Sequence, residues 1–189
     1  MNSPGKNIIA TLTVRLFAIG AVAAALLGVV YAVTAEPIAQ QKILKEQNGM
    51  AAVLSAATEF ETITEDAEDI VGKVSLGFAN GEPCGYVATV YPSGFGGTLT
   101  VMVGIDTAGT LTGVRILSMA ETPGLGANAS NPEFYEQYTG RSNLPLVVSK
   151  SASADNEIQA ITSATITSEA VTSGVNAVYS WFEQNGGVQ

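Results

Sequence analysis

Two short stretches carry residue types that chemistry needs and plain scaffolding does not. The first is Thr162-Ser163-Ala164-Thr165-Ile166-Thr167-Ser168, where five of seven residues bear a hydroxyl. It stands at the start of the last helical pattern in the chain. Helix capping is the plain reading, but a cap needs one hydroxyl. A helix N-terminus also presents amide N–H groups without intrahelical partners, together with partial positive charge, and this suits a phosphate. No Lys or Arg occurs from Ser151 onward, so a phosphate here would rest on amides, hydroxyls and the helix dipole. The segment is not a P-loop, because Gly-x4-Gly-Lys-Ser/Thr is absent. The second stretch is Glu121-Thr122-Pro123-Gly124-Leu125-Gly126-Ala127. It follows a strand pattern directly and sets two glycines around one leucine. Glycine admits close backbone approach and positive φ, so such loops often cradle ligands, and Pro123 stiffens this one.

What the chain lacks narrows the chemistry further. There is no histidine, which removes Ser-His-Asp and Cys-His catalysis and the commonest zinc ligand. The single cysteine, Cys84, allows neither an internal disulfide nor a Cys-ligated iron–sulfur cluster within the chain. Its place in Pro83-Cys84-Gly85-Tyr86, at the start of a strand pattern, reads as a buried structural thiol. The acidic stretch from Glu59 to Asp69 has no metal-ligand spacing and reads as a solvated face. A formal charge of -9 argues against nucleic acid, which requires clustered Lys and Arg. No side chain is assigned a catalytic role, and no metal is expected.

The elements that must position these stretches follow from the apolar pattern. Leu16 to Ala35 holds no charged residue, and about 20 such residues cross a bilayer as a helix. Lys6 and Arg15 flank its N-terminal side, while the rest of the chain carries six Lys and Arg against 17 Asp and Glu. The positive-inside rule then puts Met1 in the cytoplasm and the domain outside. The alternative is a signal peptide cleaved after Val33-Thr34-Ala35, but the run exceeds the usual h-region of about 7–15 residues. Both readings place the domain on the same side. Gly20, Ala24 and Gly28 recur at four-residue spacing and allow close packing against a partner helix.

Glu36 to Asp69 reads as helical, with an apolar face from Ala51 to Ala57. Strand patterns follow at Lys73–Ala79, Gly85–Tyr91, Thr98–Ile105 and Thr110–Met119. Asn80-Gly81, Pro92-Ser93-Gly94 and a hairpin loop at Asp106–Gly109 separate them. Asn131-Pro132-Glu133 predicts a short helix over 132–139, with Asn131 as N-cap, Gly140 as stop, and Phe134, Tyr135 and Tyr138 for packing. Val171, Gly174, Val175, Val178 and Phe182 make the stripe of a final helix capped by Thr167 or Ser168. The expected class is α+β: a single N-terminal transmembrane helix, then an antiparallel sheet with packed helices. The expected divisions are an anchor over 1–35, a helical connector over 36–71 and a domain over 72–189.

Thr162-Ser163-Ala164-Thr165 resembles the flavinylation motif Asp-x-x-Ser/Thr-Gly/Ser-Ala-Thr. That motif belongs to the FMN-binding domain shared by the G subunit of the Rnf complex and the C subunit of the sodium-pumping NADH:quinone reductase. Gln159 stands where the family usually has Asp, and Ser163 lies within the pattern. Glu121 to Gly126 is similar to the family's Glu-Thr-Pro-Gly-Leu-Gly loop, with Met119 and Ala120 where a His is often found. Gly94-Phe95-Gly96-Gly97 and Val101 to Asp106 resemble its glycine turn and following strand, and Lys150 matches a basic residue often seen before the motif. The chain's short length favours the G subunit.

The resemblance implies FMN joined by a phosphoester to Thr165, installed by a flavin transferase that uses FAD and magnesium. Thr165 is then an anchor and not a catalytic nucleophile. Thr162, Ser163, Ala164 and Thr167 would surround the phosphate. Thr122, Gly124, Leu125 and Gly126 would pack on the ring, with Glu121 and Lys150 as further candidate contacts. It also implies an electron-relay subunit of a complex that couples ferredoxin:NAD electron transfer to sodium or proton transport. Nucleotide and cluster sites would lie in membrane and iron–sulfur partner subunits. Two other readings stay open: a stand-alone extracytoplasmic flavoprotein carrier, and a non-enzymatic extracytoplasmic binding domain in which the Thr-rich turn is only a cap.

Overall fold

A computed structural model describes residues 4–65, 67, 70–143 and 145–185 of the chain, and side chains from Ile9 onward. The chain forms two compact units, Met1–Leu44 and Lys45–Gln189.

Helix α1 runs from Pro4 to Val53. Within the first unit its apolar side chains, among them Leu16, Phe17, Val22, Leu26 and Val33, are exposed. From Ile9 the helix is long and apolar enough to cross a membrane, which supports a membrane location. Pro37 lies inside the helix and removes one backbone donor without ending it.

The second unit is built on a five-stranded antiparallel sheet whose spatial order follows chain order. The strands are β1 Glu59–Thr64, β2 Val71–Ala79, β3 Glu82–Val90, β4 Thr100–Asp106 and β5 Leu111–Ser118. Strands β2 to β5 lie where alternation and turn residues predict them. Asn80 and Gly81 both have positive φ, +53° and +83°, the type I′ geometry that suits strand twist. Asp106 closes its own loop, its Oδ1 accepting from the N–H groups of Ala108 (2.9 Å) and Thr110 (2.8 Å).

The helix expected over 36–69 stops at Val53, and its acidic continuation is the edge strand β1. Leu54 leaves the helix and is buried. Thr62-Ile63-Thr64 is β-branched and favours a strand, and Phe60 pairs opposite Gly77 of β2. Asp66, Glu68 and Asp69 of the expected helix lie outside the described residues.

The 132–139 helix is a short α2, Pro132–Tyr135, that tightens into one 3-10 turn, Glu136–Tyr138, before Gly140 at φ +78°. Asn131 is extended as a cap should be, but its side chain makes no capping bond. Its Nδ2 donates to Asn128 Oδ1 instead, at 3.4 Å. Two short strands not foreseen, β6 Val147–Ser149 and β7 Glu157–Gln159, form a parallel pair. Side-chain amides hold both from outside. Asn176 exchanges two hydrogen bonds with the backbone of Leu146 (2.9 and 2.8 Å), and Gln137 does the same with Gln159 (2.8 and 3.4 Å).

Helix α3, Thr165–Asn185, lays its stripe on one face of the sheet. Val171, Val175 and Val178 pack with Tyr86, Val101, Val103, Ile105, Leu111 and Val114. Trp181 and Phe182 meet the Tyr86 ring edge-on, at 6.0 and 5.7 Å between centroids. The opposite face receives the last turn of α1. Val53 and Leu54 pack there with Val87 and Met102. Cys84 joins this second cluster half-buried rather than fully buried.

A row of glycines lets that turn approach. A Cβ on Gly77 would lie 2.6 Å from Leu54 Cδ2, and one on Gly113 would lie 3.1 Å from Val53 Cα. One on Gly104 would strike the Val53 carbonyl. Gly77 pairs with Gly85, and Gly104 with Gly113. Lys73 Nζ and Glu46 Oε1 add a half-exposed ion pair at 2.6 Å beside this contact.

Candidate functional site

The hydroxyl-rich turn links β7 to α3. Helix α3 begins at Thr165, earlier than a Thr167 or Ser168 cap would set it. Both of those residues are buried inside its first turns. Ser163 holds φ +62°, a left-handed conformation that costs a non-glycine residue about 1–2 kcal/mol. A glycine at this place would adopt it freely. Ala164 N–H donates to Ile161 C=O at 2.9 Å and closes the turn. Thr162, Ser163, Thr165 and Ile166 are left exposed around a buried Ala164.

The loop after β5 meets this turn. Gly124 has φ +76°, which places Leu125 outward at 41% exposure. Glu121 is 9% exposed, and its Oε1 accepts the N–H of Gly96 at 3.1 Å. That bond ties the Glu121 loop to a hairpin tip, Gly94 to Gly97, closed by Gly94 N–H to Gly97 C=O at 2.8 Å. On its other side the carboxylate reaches Gly126. A Cβ there would lie 2.5 Å from Glu121 Oε2 and 2.6 Å from Thr167 Oγ1. Glycine at 126 is therefore what lets the loop, the carboxylate and the first turn of α3 meet.

Between these three segments lies a cavity of about 410 Å3, within the roughly 300–1,000 Å3 of small-molecule sites. Its lining includes Glu121, Thr122, Leu125, Gly126, Ser163, Ala164, Thr165 and Thr167. Phe95, at the hairpin tip and 72% exposed, and Ile166, 52% exposed, complete an apolar rim with Leu125. Neither Phe95 nor Ile166 stands out by its type, and their exposure beside a polar turn is the signal. A second cavity of about 450 Å3 adjoins the first, sharing Leu125 and Ser163, and takes in Gly124, Thr162, Gln137 and Gln159. Lys150 lines neither and is exposed just beyond β6. Among the described residues no cluster of His, Cys, Asp or Glu could hold a metal ion.

A family model described as an FMN-binding domain matches residues 94–180. The match runs from the glycine hairpin tip, through the Glu121 loop, into α3. The chain is also 38% identical over 186 residues to the G subunit of the Na+-translocating ferredoxin:NAD+ oxidoreductase complex of Acetobacterium woodii, covering 90% of this chain and 89% of that one. The chain belongs to the family of G subunits of ion-translocating ferredoxin:NAD+ oxidoreductase complexes. The G subunit of the proton-translocating ferredoxin:NAD+ oxidoreductase complex of Clostridium ljungdahlii is 32% identical, with 87% of this chain and 84% of that one covered.

A solved structure, the C subunit of the Na+-translocating NADH-quinone reductase of Parabacteroides distasonis, superposes with a TM-score of 0.61 at 19% identity. It covers 79% of this chain and 96% of that one, and shows a shared fold. For a G subunit with an FMN-binding domain, the cavity is suitably built. A helix start offers amides and hydroxyls to a phosphate, and an apolar rim offers flat contact to a ring system.

Proposed function

We propose that this G subunit holds FMN as a phosphoester on Thr165 and relays electrons within a membrane ferredoxin:NAD+ oxidoreductase complex coupled to sodium or proton transport. The observation that carries the reading is the position of Thr165. It is the first residue of α3, exposed, on the wall of a cavity rimmed by Phe95, Leu125 and Ile166. A phosphoester at a helix N-terminus keeps one negative charge, which the dipole favours by about 0.3–1 kcal/mol. No cation is then required, in keeping with Lys150 lining neither cavity.

Formation of the bond balances as a transfer from FAD. The Thr165 oxygen bonds to the phosphorus on the riboflavin side, the pyrophosphate P–O bond breaks, and AMP departs with the hydroxyl proton. A flavin transferase supplies the catalysis, with magnesium. FMN exchanges one or two electrons, which suits a relay between partners. The apolar rim offers one side of the site a nonpolar surface, and Glu121 holds the loop and hairpin tip that shape it. Attachment outside the cytoplasm prevents loss of a cofactor that could not readily be replaced there. The positive-inside balance around α1 supports that orientation.

The test is in-gel flavin fluorescence and peptide mass spectrometry after denaturation, on wild type and Thr165→Ala co-expressed with the transferase. Fluorescence that survives denaturation and is absent from the variant is the expected result. A dark wild type, with the transferase active on another substrate, would sink the covalent reading.

A further inference from the structure

A line of buried hydroxyls runs from the core to the turn that carries Thr165. Tyr138, Thr172 and Ser168 are 0%, 3% and 0% exposed. Thr172 Oγ1 donates to the Ser168 carbonyl at 2.9 Å, and it lies 2.8 Å from Tyr138 Oη. A threonine hydroxyl has one proton, so Tyr138 is the donor in that pair. Burial drives the Tyr138 phenol well above its ordinary pKa, and the Thr172 bond offsets this only in part, so it remains a donor at physiological pH. Ser168 Oγ accepts the N–H of Ile161 at 2.9 Å and donates to the Ala164 carbonyl at 3.0 Å. No buried side-chain polar atom among the described residues is left without a partner.

The placement of Ser168 is not that of a cap. It lies three residues inside a helix that starts at Thr165, and its hydroxyl reaches back seven residues to Ile161. The two bonds bracket the turn from Ile161 to Ala164, which contains the left-handed Ser163. They hold the peptide immediately before Thr165.

We propose that Ser168 is a positioning residue for modification of Thr165: its hydroxyl staples the Ile161–Ala164 turn so that the Thr165 hydroxyl is presented to the phosphorus under attack. This rests on the phosphoester reading above. Thr172 and Tyr138 support Ser168 from behind, through the Ser168 carbonyl and not through its hydroxyl. Loss of the staple lowers the rate of attachment through geometry, and loss of the support lowers stability alone.

The experiment uses the full chain, purified transferase, magnesium and FAD, and follows covalent flavin against time beside thermal melts. Ser168→Ala is expected to lower kcat about tenfold to a hundredfold, the penalty of a misplaced reacting group, with the KM for the chain unchanged. Thr172→Val, which removes the support and leaves the staple, is expected to lower the melting temperature at least as much while reacting at the wild-type rate. Ser168→Cys fills the same space with a weak hydrogen-bonding group and covers the case in which the alanine variant does not fold. It should melt near wild type and still react slowly.

Ser168→Ala or Ser168→Cys reacting at the wild-type rate would overturn the proposal. So would rates in all three variants that track melting temperature. A wild type that takes no flavin from an active transferase would remove the phosphoester reading and this inference with it. A modified wild type beside a fast Ser168 variant removes the inference only.

Discussion

The two faces of the five-stranded sheet are made from the same strands and solve opposite problems. Toward α3 the strands present Tyr86, Val101, Val103, Ile105 and Val114, and the helix rides on them at side-chain distance. Toward the end of α1 they present Gly77, Gly85, Gly104 and Gly113, and the chain at Val53 lies against strand backbone. The first contact is made by bulk, and the second sets buried Val87 and Met102 beside glycines that admit the chain. The first face is broken by deletion, the second by addition as well.

The largest effect is expected on the bulky face. Ile105→Ala removes a fully buried side chain and should cost about 2–5 kcal/mol, read by urea unfolding. Next comes Gly104→Ala, whose new methyl meets the Val53 carbonyl and the Thr112 hydroxyl and should cost about 1–3 kcal/mol by overpacking. The same substitution at Gly174 sharpens the contrast. Its Cβ meets Val90 Cγ2 at 2.9 Å and Pro92 Cγ at 3.3 Å, a buried β-branched side chain and a ring that must yield a little, but no backbone atom. Alanine also gains about 1 kcal/mol of helix propensity. Gly174→Ala should therefore lose less than Gly104→Ala, the propensity gain offsetting part of the overpacking. Equal losses at Gly104 and Gly174 would show that the two faces do not differ in kind.

This contrast also marks what could be read in the sequence. Strands β2 to β5 and helix α3 carry their periodicity locally, so alternation and stripe located them. Each glycine of the α1 face is, within its own strand, only an isolated weak point. Only strand pairing lines them up, and pairing is not written in any one segment. Strand β1 was hidden because Glu59 and Glu61 resemble a solvated helix face, and β6 and β7 because three residues are too few for a period. At the site, the Thr162–Ser168 and Glu121–Gly126 stretches were legible because each is contiguous and chemically unusual. Their meeting was not, since it depends on Glu121 bonding to Gly96 and fitting beside Gly126. Phe95 comes to the cavity on the hairpin tip that this bond ties to the loop. The Ser168 hydroxyl read as a cap because its partner lies seven residues back, across a left-handed turn.

The sheet is open, and its two margins are treated differently. At β5, Leu111 exchanges backbone hydrogen bonds with Gly140 and Arg141 (2.7 and 2.9 Å), so the returning chain covers that side. At β1, no strand among the described residues pairs along the outer side, and the residues there include the exposed acids Glu59 and Glu61. Proteins confined to a membrane plane meet edge to edge far more often than molecules free in three dimensions. An uncharged margin would invite them to zip into ribbons, whereas one carrying carboxylates makes identical neighbours repel. Carboxylates at Glu59 and Glu61 therefore disfavour pairing of one copy with another along this edge.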